Sequence, residues 1–234
     1  MKSKIYPGYV LHILKPEISR RENWKAVLDN VNGDVNKVIA KTHAEYVLPL
    51  EYAFMMIDMQ AHYLEHLPSS RNKRLIDAQM QILEFCAEQD ILVFDIGART
   101  LGKTIFPLQK KLLDIPRKYR FFKPEEDAFS HPKLLDRLLD HGITHLCLTG
   151  VQASACVLET MKGVVRVGLY GIVSENLVGD DGYQTFFNKR AQNFFNYNIG
   201  NYCGNIEETL TTMRETRRMP CFSLAHFNRM KVKE

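Results

Sequence analysis

Between Tyr52 and Ser174 the chain alternates short, continuously apolar runs with amphipathic helical patterns. The apolar runs are Tyr52–Asp58 (YAFMMID), Ile91–Ile96 (ILVFDI), Tyr119–Lys123 (YRFFK), Thr144–Thr149 and Leu169–Ser174 (LYGIVS). Helical spacing of apolar residues lies between them, over Asn72–Glu88, Pro107–Asp114, His131–His141 and Ser154–Val165. Strands apolar on both faces must be covered on both faces. Strand–helix alternation therefore predicts an α/β fold: a three-layer α/β/α sandwich around a mostly parallel, Rossmann-like sheet of about six strands. A helix near Tyr183–Phe194, a weak strand near Asn196–Tyr202 and a last helix capped by Asn205 complete the pattern. Short helices are expected at Arg20–Leu28 and Val35–His43. We divide the chain into an extension (1–50), an α/β domain (51–218) and a tail (219–234).

An open parallel sheet places its site beyond the carboxyl ends of its strands, where the strand order reverses. Three polar residues stand at or just after such ends: Asp58, Lys123 and Cys156. They are far apart in sequence, and the topology predicts that they meet. Cys156 follows a strand and a small-residue turn (CLTGVQASACVLET, 147–160) and falls at the start of a helix. The partial positive charge of a helix N-terminus favours a thiolate, and unpaired first-turn N–H groups can hold an oxyanion. A free thiol titrates near 8.5, so it needs help to act as a nucleophile at neutral pH. Asp58 can take its proton, and Lys123 can favour the thiolate and orient Asp58. Such a set suits acyl transfer: attack on an amide carbonyl, loss of an amine, then hydrolysis of a thioester. Cys86, Cys147, Cys203 and Cys221 fit ordinary buried positions and show no metal-ligand spacing.

The three segments together resemble the isochorismatase-like cysteine hydrolases. AFMMIDMQ (53–60) resembles the first strand of that family with its aspartate and glutamine. FFKPEEDAF (121–129) resembles its lysine segment, and TGVQASACVLET (149–160) its glycine–valine turn and nucleophile helix. The resemblance covers roughly residues 50–210. It implies Asp58 as general base, Lys123 as electrostatic partner and Cys156 as nucleophile. It also implies a cis Val151–Gln152 bond, an oxyanion hole from the amides of Gln152 and Cys156, and a homo-oligomer of two or more chains. Members that hydrolyse isochorismate lack the cysteine, so Cys156 points to amide or related C–N chemistry. The segment TLGKTIFPLQKKL (100–112), with QASACVLET, resembles isochorismatase-domain hydrolases of open substrate more closely than nicotinamidases. Where the family often has Thr-Asp, this chain has Ala153-Ser154, which leaves Ser154 as the candidate cap. Nicotinamidases carry a metal site with several histidines on the second-strand loop, and here Asp95–Phe106 contains none. His62 and His66 stand four apart without a clear third ligand, so no metal and no cofactor is expected. Phe129, His62, Tyr63 and Arg99 are pocket candidates by proximity to the catalytic segments.

A rival motif is Gly97–Thr104 (GARTLGKT), a full match to the phosphate-binding pattern GxxxxGK[ST] after a strand. A P-loop must run straight into a helix, and Pro107 stands where that helix needs a donor. The competing assignment is a loop over the hydrolase pocket, with Arg99, Lys103 or Thr104 towards substrate. A non-enzymatic scaffold of the same fold is the third alternative.

With 31 basic and 27 acidic residues the net charge is +4, too balanced to argue for nucleic acid. No apolar run approaches a membrane span. The N-terminus lacks a continuous apolar core and a cleavage site. Five cysteines in no framework pattern suit a reducing, cytoplasmic setting. The expected partner is a small amide-like molecule, with neither nucleic acid nor membrane.

Overall fold

A computed structural model describes residues 47–180 and 202–229, apart from 219, 224, 227 and 228. The expected helices at 20–28, 35–43 and 183–194 lie outside the described residues, as does the expected strand before Tyr202. The strands are β1 (Val47–Pro49), β2 (Tyr52–Ile57), β3 (Leu92–Ala98), β4 (Lys118–Lys123), β5 (His145–Val151), β6 (Tyr170–Gly179), β7 (Tyr202–Cys203) and β8 (Pro220–Phe222). The helices are α1 (Ala61–Leu64), α2 (Ser69–Glu88), α3 (Phe106–Leu113), α4 (Leu134–Asp140), α5 (Cys156–Arg166) and α6 (Ile206–Thr216).

The main sheet has the order β4-β3-β2-β5-β6-β7, and every pair in it is parallel. The chain enters at β2, works outward through β3 to β4, then crosses to the other side of β2 with β5. The order therefore reverses between β2 and β5.

Residue alternation along the central strands explains the three layers. Phe54 and Met56 of β2 face a core with Val93, Cys147 and Ile172, covered by Ile82, Leu83 and Cys86 of α2, Leu108 of α3 and Met213 of α6. Ala53, Met55 and Ile57 face the opposite core with Phe94, Ile96 and Leu148, covered by Leu134 and Leu138 of α4 and Val157, Met161 and Val164 of α5. β2 and β5 are buried at every position, as their unbroken apolar sequences require. β4 lies at the edge, where exposed Lys118 and half-buried Arg120 replace apolar residues and discourage further pairing.

β6 is longer than Leu169–Ser174. After an irregularity between Leu148 and Gly150, pairing resumes as Gly150 opposite Val178 and Val151 opposite Gly179. The polar Glu175-Asn176 pair reads as a strand end in sequence, yet the Thr149 hydroxyl donates to the Leu177 carbonyl and holds this second half on β5. Asn205 caps α6 through the Glu208 amide. β1 and β8, from the segments read as extension and tail, pair antiparallel with Val47 opposite Phe222.

Candidate active site

Asp58 follows β2 directly and is fully buried. Its amide donates to the Ile96 carbonyl at 2.9 Å, and its φ of 53° is left-handed, a conformation that aspartate tolerates better than most residues. Gly150 of β5 lies opposite Ile57. A Cβ there would meet the Ile57 carbonyl oxygen at 1.9 Å, and φ at Gly150 is 117°. Only glycine lets β5 come this close to β2 just before Asp58. After β5 the Val151–Gln152 peptide is cis. The turn is anchored to the end of β6: the Ala153 amide donates to Gly179 at 2.8 Å, and the Ser154 hydroxyl to Asp180 Oδ1 at 2.9 Å. Ser154 therefore does not cap the helix. Ala155 takes the cap position without a side-chain bond, and Cys156 is the first residue of α5.

Lys123 ends β4, and its segment docks along one stripe of α5. Residues 156, 160 and 163 recur at one-turn spacing on a single helix face. The Thr160 hydroxyl accepts from the Ala128 amide at 3.0 Å. Gly163 leaves room for Asp127 and Phe129, whose atoms a Cβ would meet at 2.5 and 2.8 Å. Asp127 in turn accepts from the Phe129 amide and pairs with Arg166 at 2.7 Å.

The three strand-end residues meet at one nitrogen. Lys123 Nζ lies 2.9 Å from Asp58 Oδ2 and donates to Cys156 Sγ at 3.2 Å and to the Glu125 carbonyl at 3.2 Å. Among the described residues, no hydrogen bond reaches either Asp58 oxygen beyond the Lys123 ion pair. Burial pushes the Asp58 carboxyl up, against the pull of Lys123 and the neighbouring Cys156 thiol. It also pushes the Lys123 ammonium down, but the carboxylate and thiol beside it more than reverse that. Burial first, then the Asp58 charge, lift the Cys156 thiol to about 11, outweighing Lys123. The expected thiolate preference at the helix start is thus overridden at rest. The arrangement is a thiol beside a buried carboxylate that is more basic than one in water and can accept its proton.

Tyr63 stands on α1 after β2. Burial and then the charges of Asp58 and Cys156 raise its hydroxyl, so it lies within their field. Gln152 is half-buried in the turn. Phe129 packs over Gly163, two turns along α5 from Cys156. His62 is exposed and pairs with Glu65 at 3.2 Å. Arg99 is exposed on the short turn after β3, and among the described residues no hydrogen bond or ion pair joins it to the three.

Gln60 has a role that its place in AFMMIDMQ did not disclose. Its buried amide donates to the Ala98 and Gly102 carbonyls at 2.9 and 2.7 Å and accepts from the Ala98 amide at 2.8 Å. It thereby holds the loop that carries GARTLGKT. The Thr104 hydroxyl donates to buried Asp95 at 2.6 Å, and Arg120 lies 3.4 Å from the same carboxylate. α3 begins only at Phe106, so Gly102-Lys103-Thr104 does not open a helix. Thr104 is buried and engaged, leaving neither a phosphate cradle nor a free threonine hydroxyl. The same contacts occupy Asp95, and residues 95–106 contain no histidine. Among the described residues, no helix is long and apolar enough to cross a membrane.

No protein-family model matches the chain, and no curated protein matches it in sequence. Solved structures do match. A pyrazinamidase/nicotinamidase from Streptococcus mutans aligns with a TM-score of 0.57 at 17% identity, over 65% of this chain and 100% of its own. An isochorismatase-like hydrolase from Alkaliphilus metalliredigens gives 0.57 at 18%, over 69% and 98%. The MAR1 ribonuclease from Caenorhabditis elegans gives 0.59 at 19%, over 70% and 81%. The chain thus has the three-layer α/β fold of these isochorismatase-like structures. It is similar in architecture to nicotinamidases and to a ribonuclease alike, and a shared fold leaves the reaction to the site.

Proposed function

We propose that this protein is a cysteine hydrolase that cleaves a small amide or related C–N bond through a thioester. The observation that carries the reading is the single ammonium of Lys123 held between the Asp58 carboxylate and the Cys156 sulfur. Asp58 removes the thiol proton as sulfur attacks the carbonyl carbon. The resulting oxyanion lies against the amides of Gln152 and Cys156, the latter in the first turn of α5, where N–H groups lack intrahelical acceptors. Asp58 returns the proton to the leaving nitrogen, the C–N bond breaks, and an amine or ammonia departs. Water, deprotonated by Asp58, then attacks the thioester, and Cys156 leaves and recovers its proton. Lys123 remains an ammonium throughout and keeps Asp58 ionised and oriented.

Amide substrates are favoured by the architectural likeness to a pyrazinamidase/nicotinamidase. A reducing, cytoplasmic setting, which keeps the thiol free, and a homo-oligomer belong to the same reading, with residues 51–218 as the catalytic unit. The test is ammonia release from a panel of small amides together with intact-protein mass spectrometry. A thioester adduct on wild type, absent with Cys156→Ala along with turnover, supports the reading. Amide turnover that survives Cys156→Ala refutes it, as does RNA cleavage indifferent to that substitution.

A further inference from the structure

We propose that His62, Glu65 and His66 form a site for a divalent metal ion of the zinc class, on the turn that follows β2. The sequence shows two histidines four residues apart, and the structure supplies the third ligand. His62 Nδ1 lies 3.2 Å from Glu65 Oε1, and His66 Nε2 lies 3.7 Å from the same oxygen. Ligand atoms of all three residues fall within 4.8 Å of one another. A tetrahedral zinc ion with bonds of about 2.0–2.1 Å has its ligand atoms about 3.3 Å apart. Two of the three edges are therefore close to their liganded length before any ion enters.

The backbone beneath these ligands is already held. The Tyr63 and Leu64 amides donate to the Gln60 carbonyl, the Glu65 amide to Ala61 and the Leu67 amide to Leu64. Leu64 and Leu67 are buried and fasten the turn to the core. The three ligand side chains are more than half exposed, so their tips can shift by a fraction of an ångström without disturbing packing. A pair of histidines with one carboxylate is also the donor set of open zinc sites, which keep a position for water or an incoming ligand. The Tyr63 ring meets His62 edge-on at 5.7 Å, and an open position on the ion remains for a further ligand. The class of ligand it would take there is an anionic or carbonyl oxygen.

Without an ion, the same contacts amount to an exposed ion pair of small energetic weight. Metal binding to the full-length, metal-stripped protein separates the two. Equilibrium dialysis with Zn²⁺ should show one ion per chain in the micromolar range. Co²⁺ should give the visible spectrum of nitrogen and oxygen ligation, without a sulfur charge-transfer band. The double substitution His62→Ala/His66→Ala should weaken binding by about 100-fold and Glu65→Gln by about 10-fold. Cys156→Ser should leave binding unchanged. The proposal is overturned if no ion is retained at 100-fold excess over protein at micromolar concentration. It is equally overturned if the double variant binds as wild type, or if a sulfur band appears and vanishes with Cys156→Ser. None of these readouts depends on turnover, so they stand or fall apart from the hydrolase reading.

Discussion

Replacing Asp58 with asparagine should make Cys156 more reactive while abolishing turnover. The two contacts through Lys123 Nζ, 2.9 and 3.2 Å, cap the separation of Asp58 Oδ2 and Cys156 Sγ at about 6 Å. Two negative charges at that distance repel by about 3 kcal/mol at an effective dielectric near 20. That energy corresponds to about two pH units. Removing the carboxylate charge should bring the thiol from about 11 to about 9. The thiolate fraction at pH 8 then rises from roughly one in a thousand to roughly one in ten. A less basic thiolate is a weaker nucleophile, so the net gain in alkylation is roughly 10-fold. The same change removes the group that accepts and returns the proton, and turnover should fall by about 10²–10⁴. Iodoacetamide labelling, followed at Cys156 by peptide mass spectrometry across pH 7–11, measures the first effect, and ammonia release the second. Near-UV circular dichroism checks that the variant is folded. Labelling of Cys156 that slows or stays the same, or turnover that persists, would refute the placement of Asp58 as base beside the thiol.

Gly150→Ala should be among the most damaging small substitutions in the protein. Its methyl group would sit 1.9 Å from the Ile57 carbonyl at a φ of 117°, so β5 must part from β2. Overpacking and backbone strain together cost about 3–5 kcal/mol, and urea denaturation should show a loss of that size. A loss below about 1 kcal/mol would contradict the close approach. His145 gives a pH-dependent prediction. It is fully buried between Tyr52 and Tyr170, and burial holds its ring neutral, with a pKa near 3. The unfolded chain takes up that proton near pH 6.5 while the folded chain does not. Its contribution is therefore complete above about pH 6.5 and is lost as pH falls towards 3. His145→Phe should flatten the stability profile between pH 6.5 and 4.5 relative to wild type, and an unchanged acid limb in urea titrations would count against it.

The site was legible in the sequence to the extent that it depends on strand ends. Asp58, Lys123 and Cys156 each follow an apolar run, and parallel topology sends such ends to one side of the sheet. The stripe Cys156, Thr160 and Gly163 could also have been read, since one-turn spacing marks a single face and a glycine within it marks a close neighbour. What docks there, the segment around Asp127 and Phe129, could not, because the contact spans more than thirty residues. Gln60 shows the same limit. Its three bonds reach backbone atoms of a loop about forty residues away, and no local pattern encodes a side chain that braces distant carbonyls. GARTLGKT shows the converse: a complete local motif whose surroundings bury Thr104 against Asp95 and begin the helix too late.

By itself, then, the sequence determined the layers, the sheet type and which candidate groups follow the strand ends. Each of these follows from local periodicity and from which residues follow apolar runs. Only the tertiary structure decided the protonation state and the spacing. Burial and the Asp58 charge outweigh Lys123 and the helix start at Cys156, because desolvation depends on everything packed around a group. The same is true of Glu65. In sequence it is one acid between two histidines, and only the turn after α1 brings its oxygen to within 4 Å of both.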